Sequence, residues 1–115
     1  MAGDCIFCKI AAGDIPGDII FEDELAVAFR DINPQAPTHV LVIPRAHVGN
    51  ASTLTEADDA LIAHLLRLAG QIARDEGIEG SGYRIVLNVG SHGGESVPHL
   101  HIHILGGRQL SWPPG

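Results

Sequence analysis

Seven of the 115 residues are histidine, and three of the seven fall within five positions. The segment His99-Leu100-His101-Ile102-His103-Ile104-Leu105 alternates imidazole and aliphatic side chains without a break. A strand repeats every two residues, so this pattern puts all three imidazoles on one face and Leu100, Ile102 and Ile104 on the other, toward a core. Same-side neighbours on a strand stand about 7 Å apart. That spacing suits holding a small anion or sharing a metal, and is too wide for direct ring-to-ring hydrogen bonds. Three chemistries fit: a polar sheet face that happens to use histidine, a metal-binding face, or a phosphate site with one imidazole as nucleophile. The neighbours favour the phosphate site. Gly93-Gly94-Glu95-Ser96 offers bare backbone N–H groups and a hydroxyl just before the histidines, the usual means of cradling an anion.

A second reactive group opens the chain. Cys5-Ile6-Phe7-Cys8 is a C-x2-C arm whose disulfide would close too small a loop to staple a fold. The spacing fits half of a tetrahedral zinc site. It also fits a redox pair, but the βαβ context of a thioredoxin is missing. Two inert thiols are the third option.

The elements that must position these residues can be read coarsely. Asp4 to Ala12 reads as a short helix with Asp4 as N-cap and Gly13 past its end, with Ile6, Phe7 and Ile10 on one side. Ile19-Ile20-Phe21 and Leu25 to Phe29 flank the acidic turn Glu22-Asp23-Glu24 as a hairpin. Val40 to Ile43 is a buried strand stopped by Pro44. Thr55 with Asp58 resembles a capping box, and Ala57, Leu61, Leu65, Leu68 and Ile72 repeat at helical spacing until Gly77. Tyr83 to Val89 reads as a strand, Gly90 to Gly94 as a flexible loop, and Pro98 to Leu105 as the last strand. Strands at both ends around one main helix imply an α+β domain with a largely antiparallel sheet.

Composition narrows the function. Hydrophobic residues make up 45%, enough for one core, and the net charge is −7 from seven Lys+Arg against fourteen Asp+Glu. A nucleic-acid backbone binder would need a basic face, although one small nucleotide held by local donors remains compatible. The apolar runs are far shorter than a membrane span and the N-terminus lacks a leader pattern, so the sequence reads as that of a cytoplasmic protein.

The alternating segment matches the histidine-triad (HIT) motif, H-φ-H-φ-H-φ-φ with φ apolar. Phe29-Arg30-Asp31-Ile32-Asn33-Pro34-Gln35-Ala36-Pro37-Thr38-His39, followed by Leu41-Val42-Ile43-Pro44 and His47, resembles the Hint branch of that family. So do Gly106-Gly107-Arg108 and the closing Trp112-Pro113-Pro114-Gly115. The resemblance runs from about Ile6 to Gly115. It implies a single HIT domain over residues 1–115, with an antiparallel five-stranded sheet, one long helix and a short N-terminal helix, and with the sheets of two protomers joined in a homodimer.

Hint-type proteins hydrolyse purine nucleoside phosphoramidates, such as AMP or GMP joined to an amine, through a nucleotidyl-histidine intermediate. The resemblance makes His101 the nucleophile and puts His103, Ser96 and Asn88 at the phosphate or leaving group, beside the Gly94 backbone. It gives Asp31 to the ribose hydroxyls, and Ile6, Phe7, Ile10, Ile15, Phe29 and Ile32 to the base; each of these apolar residues fits an ordinary core as well. It sends Trp112 toward the partner's site, where the alternative is packing on its own subunit. The cysteine pair, absent from animal Hint proteins, is similar to a bacterial zinc-binding subset, which implies Cys5, Cys8, His47 and His99 as ligands. His99 is then either a ligand or a phosphate donor among the catalytic residues. His39 reads as a satisfied core histidine in preference to one that orients the triad, and His64 and His92 read as surface residues. Rival functions are another HIT nucleotide hydrolase or transferase, a nucleotide-binding regulatory module with incidental activity, and a zinc-binding structural protein.

Overall fold

A computed structural model describes residues 4–115. The elements in chain order are α1 (Ile6–Ala12), β1 (Ile19–Glu22), β2 (Ala26–Arg30), β3 (Thr38–Pro44), α2 (Asp59–Asp75), β4 (Tyr83–Val86) and β5 (Ile102–Gly106). The five strands form one sheet in the order β1-β2-β3-β5-β4, with every neighbouring pair antiparallel. The expected α+β architecture, with one long and one short helix, is therefore present.

Strand periodicity sorts the core into two layers. Ala26, Ala28, Val40, Val42, Ile102 and Ile104 face α2 and pack against Leu65, Leu68, Ala69 and Ile72. The two alanines keep the β2 surface low, so that the helix can approach. Val27, Phe29, Leu41 and Ile43 face the other way and are covered by Phe7 and Ile10 of α1. One side of the sheet thus carries the structural core. The other carries only a seven-residue helix, leaving room beside it for the histidines.

Several element ends differ from the sequence expectation. Helix α1 is capped by Cys5 instead of Asp4, because the Cys5 Sγ accepts from the Cys8 N–H at 3.4 Å. The helix stops at Gly13, whose φ of 79° is the left-handed conformation that glycine adopts without penalty. The Thr55–Asp58 capping box exists, but it caps a 3-10 turn over Glu56–Asp58 that leads into α2. Strand β5 begins at Ile102 and not at Pro98. The preceding backbone donors are taken elsewhere: His99 N–H donates to Val97 O, and Leu100 N–H to Val48 O. Strand β4 correspondingly ends at Val86, opposite His103, close to where β5 begins.

His64 is tied down as well. Its Nε2 lies 2.7 Å from Asp23 Oδ2, which joins α2 to the β1–β2 turn while the side chain stays partly exposed at the surface. His92 is exposed on its loop, as expected. Among the described residues no helix is long and apolar enough to cross a membrane.

Candidate functional site

The irregular backbone before β5 does not break the alternation of side chains. Leu100, Ile102 and Ile104 all enter the α2-side core. His101 and His103 stand on the opposite face with ring centroids 4.9 Å apart, closer than an ideal strand gives. Phe7 of α1 packs its ring edge-on to both His101 and His99, at 5.1 and 5.9 Å. Short as it is, α1 therefore fixes the rings of two histidines.

Each triad imidazole has one nitrogen held by a group that decides where its hydrogen sits. A backbone carbonyl can only accept, so the ring nitrogen facing it must carry the hydrogen. The His101 Nδ1–H donates to the His99 carbonyl at 2.7 Å, which leaves Nε2 with a free lone pair. The His99 Nε2–H donates to the Pro44 carbonyl at 2.9 Å, which leaves Nδ1 as the acceptor or ligand atom. His103 is set through His39. The Gln35 N–H donates to His39 Nδ1 at 3.0 Å, so the neutral His39 ring carries its hydrogen on Nε2. That Nε2–H donates to His103 Nδ1 at 2.8 Å, and the His103 hydrogen is left on Nε2.

His39 thus aligns a triad member, and the reading of it as a plain core histidine is corrected. His39 and His103 are diagonal partners, since Leu41 lies opposite His103 and His39 opposite Leu105. Asp31 completes the row, with Oδ2 3.4 Å from His39 Nε2 and Oδ1 accepting from the Asn33 N–H. Burial favours the neutral form of the two imidazoles. It lowers His39 below the ordinary imidazole value despite Asp31. Burial, helped by the nearby His101 and His39, pushes His103 down to about 4.

A cleft of about 260 Å³ opens beside His101 and His103, with Asp31 and Ser96 on its rim. Phe7, Ile10 and Phe29 are buried residues that also form its apolar wall. Ile6 and Ile32 line the same cleft but are exposed, Ile32 almost completely at 98%, so neither is an ordinary core residue. Ile15 packs against the α1-side cluster and does not line the cleft. Asn88 donates from Nδ2 to the Gly93 carbonyl at 2.7 Å, bracing the glycine loop from below. Gly93 is packed so closely on Val89 that an added Cβ would overlap the Val89 carbonyl. Glu95 holds the same loop from the other end, accepting from Gly90 N–H and from Asn50 Nδ2.

The cysteine pair meets two histidines. Ligand atoms of Cys5, Cys8, His47 and His99 all lie within 4.8 Å of one another. Cys5 Sγ is 3.2 Å from His99 Nδ1, while Cys8 Sγ is 3.4 Å from His99 Nδ1 and 3.2 Å from His47 Nδ1. Tetrahedral Zn–S and Zn–N bonds of ordinary length imply S···N separations of roughly 3.5 Å. The set is therefore sized for such an ion, and His99 presents the atom that its bond to Pro44 leaves free. His99 is fully buried with both nitrogens engaged, and it does not line the cleft. Burial holds it below the ordinary imidazole value, in the neutral form a ligand needs.

Asp31, His39 and His103 also bring ligand atoms within 4.8 Å of one another. They do not make a comparable metal site. The Gln35 N–H occupies the His39 Nδ1 lone pair, so Nε2 must keep its hydrogen unless that bond breaks.

The HIT domain family model matches residues 12–110. The chain belongs to the HIT family. Among solved structures, this HIT protein is similar to a HIT family hydrolase from Legionella pneumophila, with 51% identity, a TM-score of 0.96, and 97% of this chain and 100% of that one covered. A histidine triad nucleotide-binding protein from Candida albicans gives 28% identity and a TM-score of 0.82, covering 96% and 83%. A zinc-bound histidine triad family protein from Mycobacterium smegmatis gives 30% and 0.79, covering 97% and 83%. The fold and a hydrolase of HIT type in general follow from these likenesses. The sequence offered His39 both as a core histidine and as a residue orienting the triad, and the less favoured of the two readings is the one its bond to His103 bears out. The presence of His39 in the Phe29–His39 segment was a signal, but only the β3–β5 register shows whom it touches.

Proposed function

We propose that this HIT protein hydrolyses purine nucleoside phosphoramidates, with His101 as nucleophile. The observation that carries the reading is the 2.7 Å bond from His101 Nδ1–H to the His99 carbonyl, which in the neutral ring puts the free lone pair on Nε2, beside the cleft. An attacking nitrogen needs that tautomer, and a backbone carbonyl supplies it without a proton transfer. In the first step the Nε2–P bond forms as the P–N bond breaks. The amine departs with the bonding pair and is protonated from water, while Ser96 hydrogen-bonds the leaving nitrogen. In the second step water attacks phosphorus and releases His101 with the nucleoside monophosphate.

His103 donates from Nε2 to a phosphate oxygen, an assignment that follows from its bond to His39. The backbone at Gly94 and the loop braced by Asn88 supply further donors. Asp31 accepts from the ribose hydroxyls at the cleft rim, with Phe7, Ile10 and Phe29 against the base and Ile6 and Ile32 closing over it. Cys5, Cys8, His47 and His99 hold a zinc ion. When bound, the ion supplies a closed structural link between α1 and the sheet, and His99 serves there as a ligand instead of a phosphate donor. The M. smegmatis relative, itself zinc-bound, supports this assignment.

One HIT domain accounts for residues 1–115, and a second copy of the chain is its partner. Trp112 is 81% exposed, so it does not pack on its own subunit, and the edge strand β4 leaves Ile85 half-exposed and is followed by the similarly exposed Leu87. Both features suit a homodimer. The test is steady-state hydrolysis of an adenosine phosphoramidate by the wild-type protein and by His101→Ala. The expected loss is at least about a thousandfold. Wild-type turnover no faster than the variant's would overturn the reading and leave a nucleotide-binding module in its place.

A further inference from the structure

His99 belongs to two assemblies at once. Its ring meets the cysteines, with Nδ1 3.2 Å from Cys5 Sγ and 3.4 Å from Cys8 Sγ, while its main-chain carbonyl accepts the Nδ1–H of His101 at 2.7 Å. Phe7 stands between the two cysteines in sequence and packs edge-on to the rings of both His99 and His101. Helix α1 and its cap therefore carry the sulfurs of one site and, through Ile6, Phe7 and Ile10, the apolar wall of the other.

The cysteines are also placed to react with each other. Cys5 caps the helix, Cys8 lies three residues on, and the Cys8 N–H donates to Cys5 Sγ at 3.4 Å. Helix geometry puts such a pair about 5 Å apart at Cα, inside the range of about 4.4 to 6.8 Å that a disulfide spans. A small molecule can reach both sulfurs. Cys8 is half-buried, and Cys5, although buried, lines a groove of about 460 Å³ together with His47.

We propose, resting on the zinc assignment above, that Cys5 and Cys8 are a site of reversible oxidation, where a peroxide unlatches the start of α1 and weakens nucleotide binding. The Cys8 sulfur attacks one peroxide oxygen, the O–O bond breaks, and the departing oxygen takes up a proton and leaves as water. The Cys5 sulfur then attacks the Cys8 sulfur. As the S–S bond forms, the second oxygen is displaced and also leaves as water. Two thiolates lose two electrons in all, one peroxide is reduced to two waters, and two protons are consumed. Sulfurs bonded to each other no longer serve as thiolate ligands, and His47 and His99 alone do not close a tetrahedral site. So small a disulfide loop adds little stability, and a dithiol reductant opens it again. Arg45 Nη1 still holds the far end of α1 by donating to the Ala11 carbonyl at 2.7 Å. The change therefore falls on the first turn, where Ile6 and Phe7 line the cleft.

The test uses the zinc-loaded full chain and hydrogen peroxide. Free thiols are counted with a maleimide, released zinc with a chromogenic chelator, and affinity for AMP by calorimetry. Both thiols should be lost in step with the release of about one zinc per chain. The Kd for AMP should weaken about three- to tenfold as the seated form of α1 becomes less populated. Amide exchange should quicken at the start of α1. A dithiol should restore both thiols, and the affinity should return only when zinc is added back. Thiols and zinc that survive excess peroxide, thiols that a dithiol does not restore, or disulfide-linked dimers on a non-reducing gel would each overturn the proposal and leave the zinc site standing. So would an unchanged Kd in the fully oxidised chain, or an affinity that returns on reduction in the presence of chelator. A reduced chain that takes up no zinc, or that binds no AMP, would fell the zinc assignment or the nucleotide reading, and the oxidation site with it.

Discussion

His39 Nε2–H donates to His103 Nδ1 at 2.8 Å across β3 and β5, and this bond decides which face of the His103 ring can donate into the cleft. The order is set from outside the site. A backbone N–H at Gln35 fixes His39, His39 fixes His103, and no step requires an ionised group. A donor whose hydrogen is placed in advance has no reorganisation to complete when charge develops on phosphate oxygens.

Replacing His39 with Phe keeps the ring volume and removes the hydrogen bond. His103 is then free to take either tautomer, and part of the population presents a lone pair to phosphate. Outer-shell partners of functional histidines typically matter about 10- to 100-fold, and a loss of kcat/KM in that range is expected. The readout specific to this role is the tautomer of His103, followed by 15N NMR of the imidazole. An unchanged Nε2–H signal in the variant would show that His39 only packs.

The same row makes stability depend on pH. Burial holds His103 at about 4 in the folded chain against an ordinary value of 6.5, and lowers His39 in the same direction. Below the ordinary value the unfolded chain binds protons that the folded chain refuses. Stability is therefore full above about pH 6.5 and is lost as pH falls from there toward 4, by on the order of 3 kcal/mol from His103. Urea midpoints at pH 7 and pH 4.5 measure the drop. Because the zinc ligands also titrate, the comparison is made in metal-free protein against His103→Gln, which should lose distinctly less over the same interval. Equal losses in the two proteins would remove His103 as the cause.

What was legible in the sequence was whatever depends on neighbours along the chain. The alternation around His101 fixes sidedness because residues two apart always share a face, and it survives although β5 starts only at Ile102. The C-x2-C spacing brought Cys5 and Cys8 within reach of one ion for the same local reason. His39 against His103 was not legible, because their meeting depends on the register of two strands 64 residues apart in sequence. Asp4 looked like the helix cap since aspartate is a good one. Cys5 displaces it because its Sγ, held beside His99, already faces the Cys8 N–H.

Metal content gives a direct measurement of the cysteine–histidine cluster. One zinc per chain is expected after purification without chelator, and less than about half an equivalent would count against the site. Burial and the neighbouring Cys5 thiol push the Cys8 thiol above its ordinary value, so metal binding must expel protons, and affinity should weaken as pH falls. Chelation removes the link between α1 and the sheet but not the packing of Phe7 and Ile10. The chain should therefore remain folded with a Tm lower by at least about 5 °C. Amide exchange should accelerate first in Ile6–Ala12.

The glycine loop offers a test that leaves every imidazole untouched. Gly93 lies against the Val89 backbone, and its carbonyl accepts from Asn88 Nδ2 at 2.7 Å. A methyl group there would overlap the Val89 carbonyl, which cannot swing away as a flexible side chain does. The loop must shift, carrying the Gly94 and Ser96 donors with it, while the exposed position spares the core. Donors aimed at developing charge are sensitive to such shifts, and removing one typically costs about 10²- to 10³-fold. Gly93→Ala should thus lower kcat at least about tenfold, with a Tm within a few degrees of wild type. Gly90→Ala supplies the contrast, because it strains φ at 71° without any neighbour within 4 Å of the added carbon. Gly93→Ala should therefore be the more damaging of the two for turnover. Equal effects would mean that the loop's conformation, and not its close approach to Val89, sets the donors.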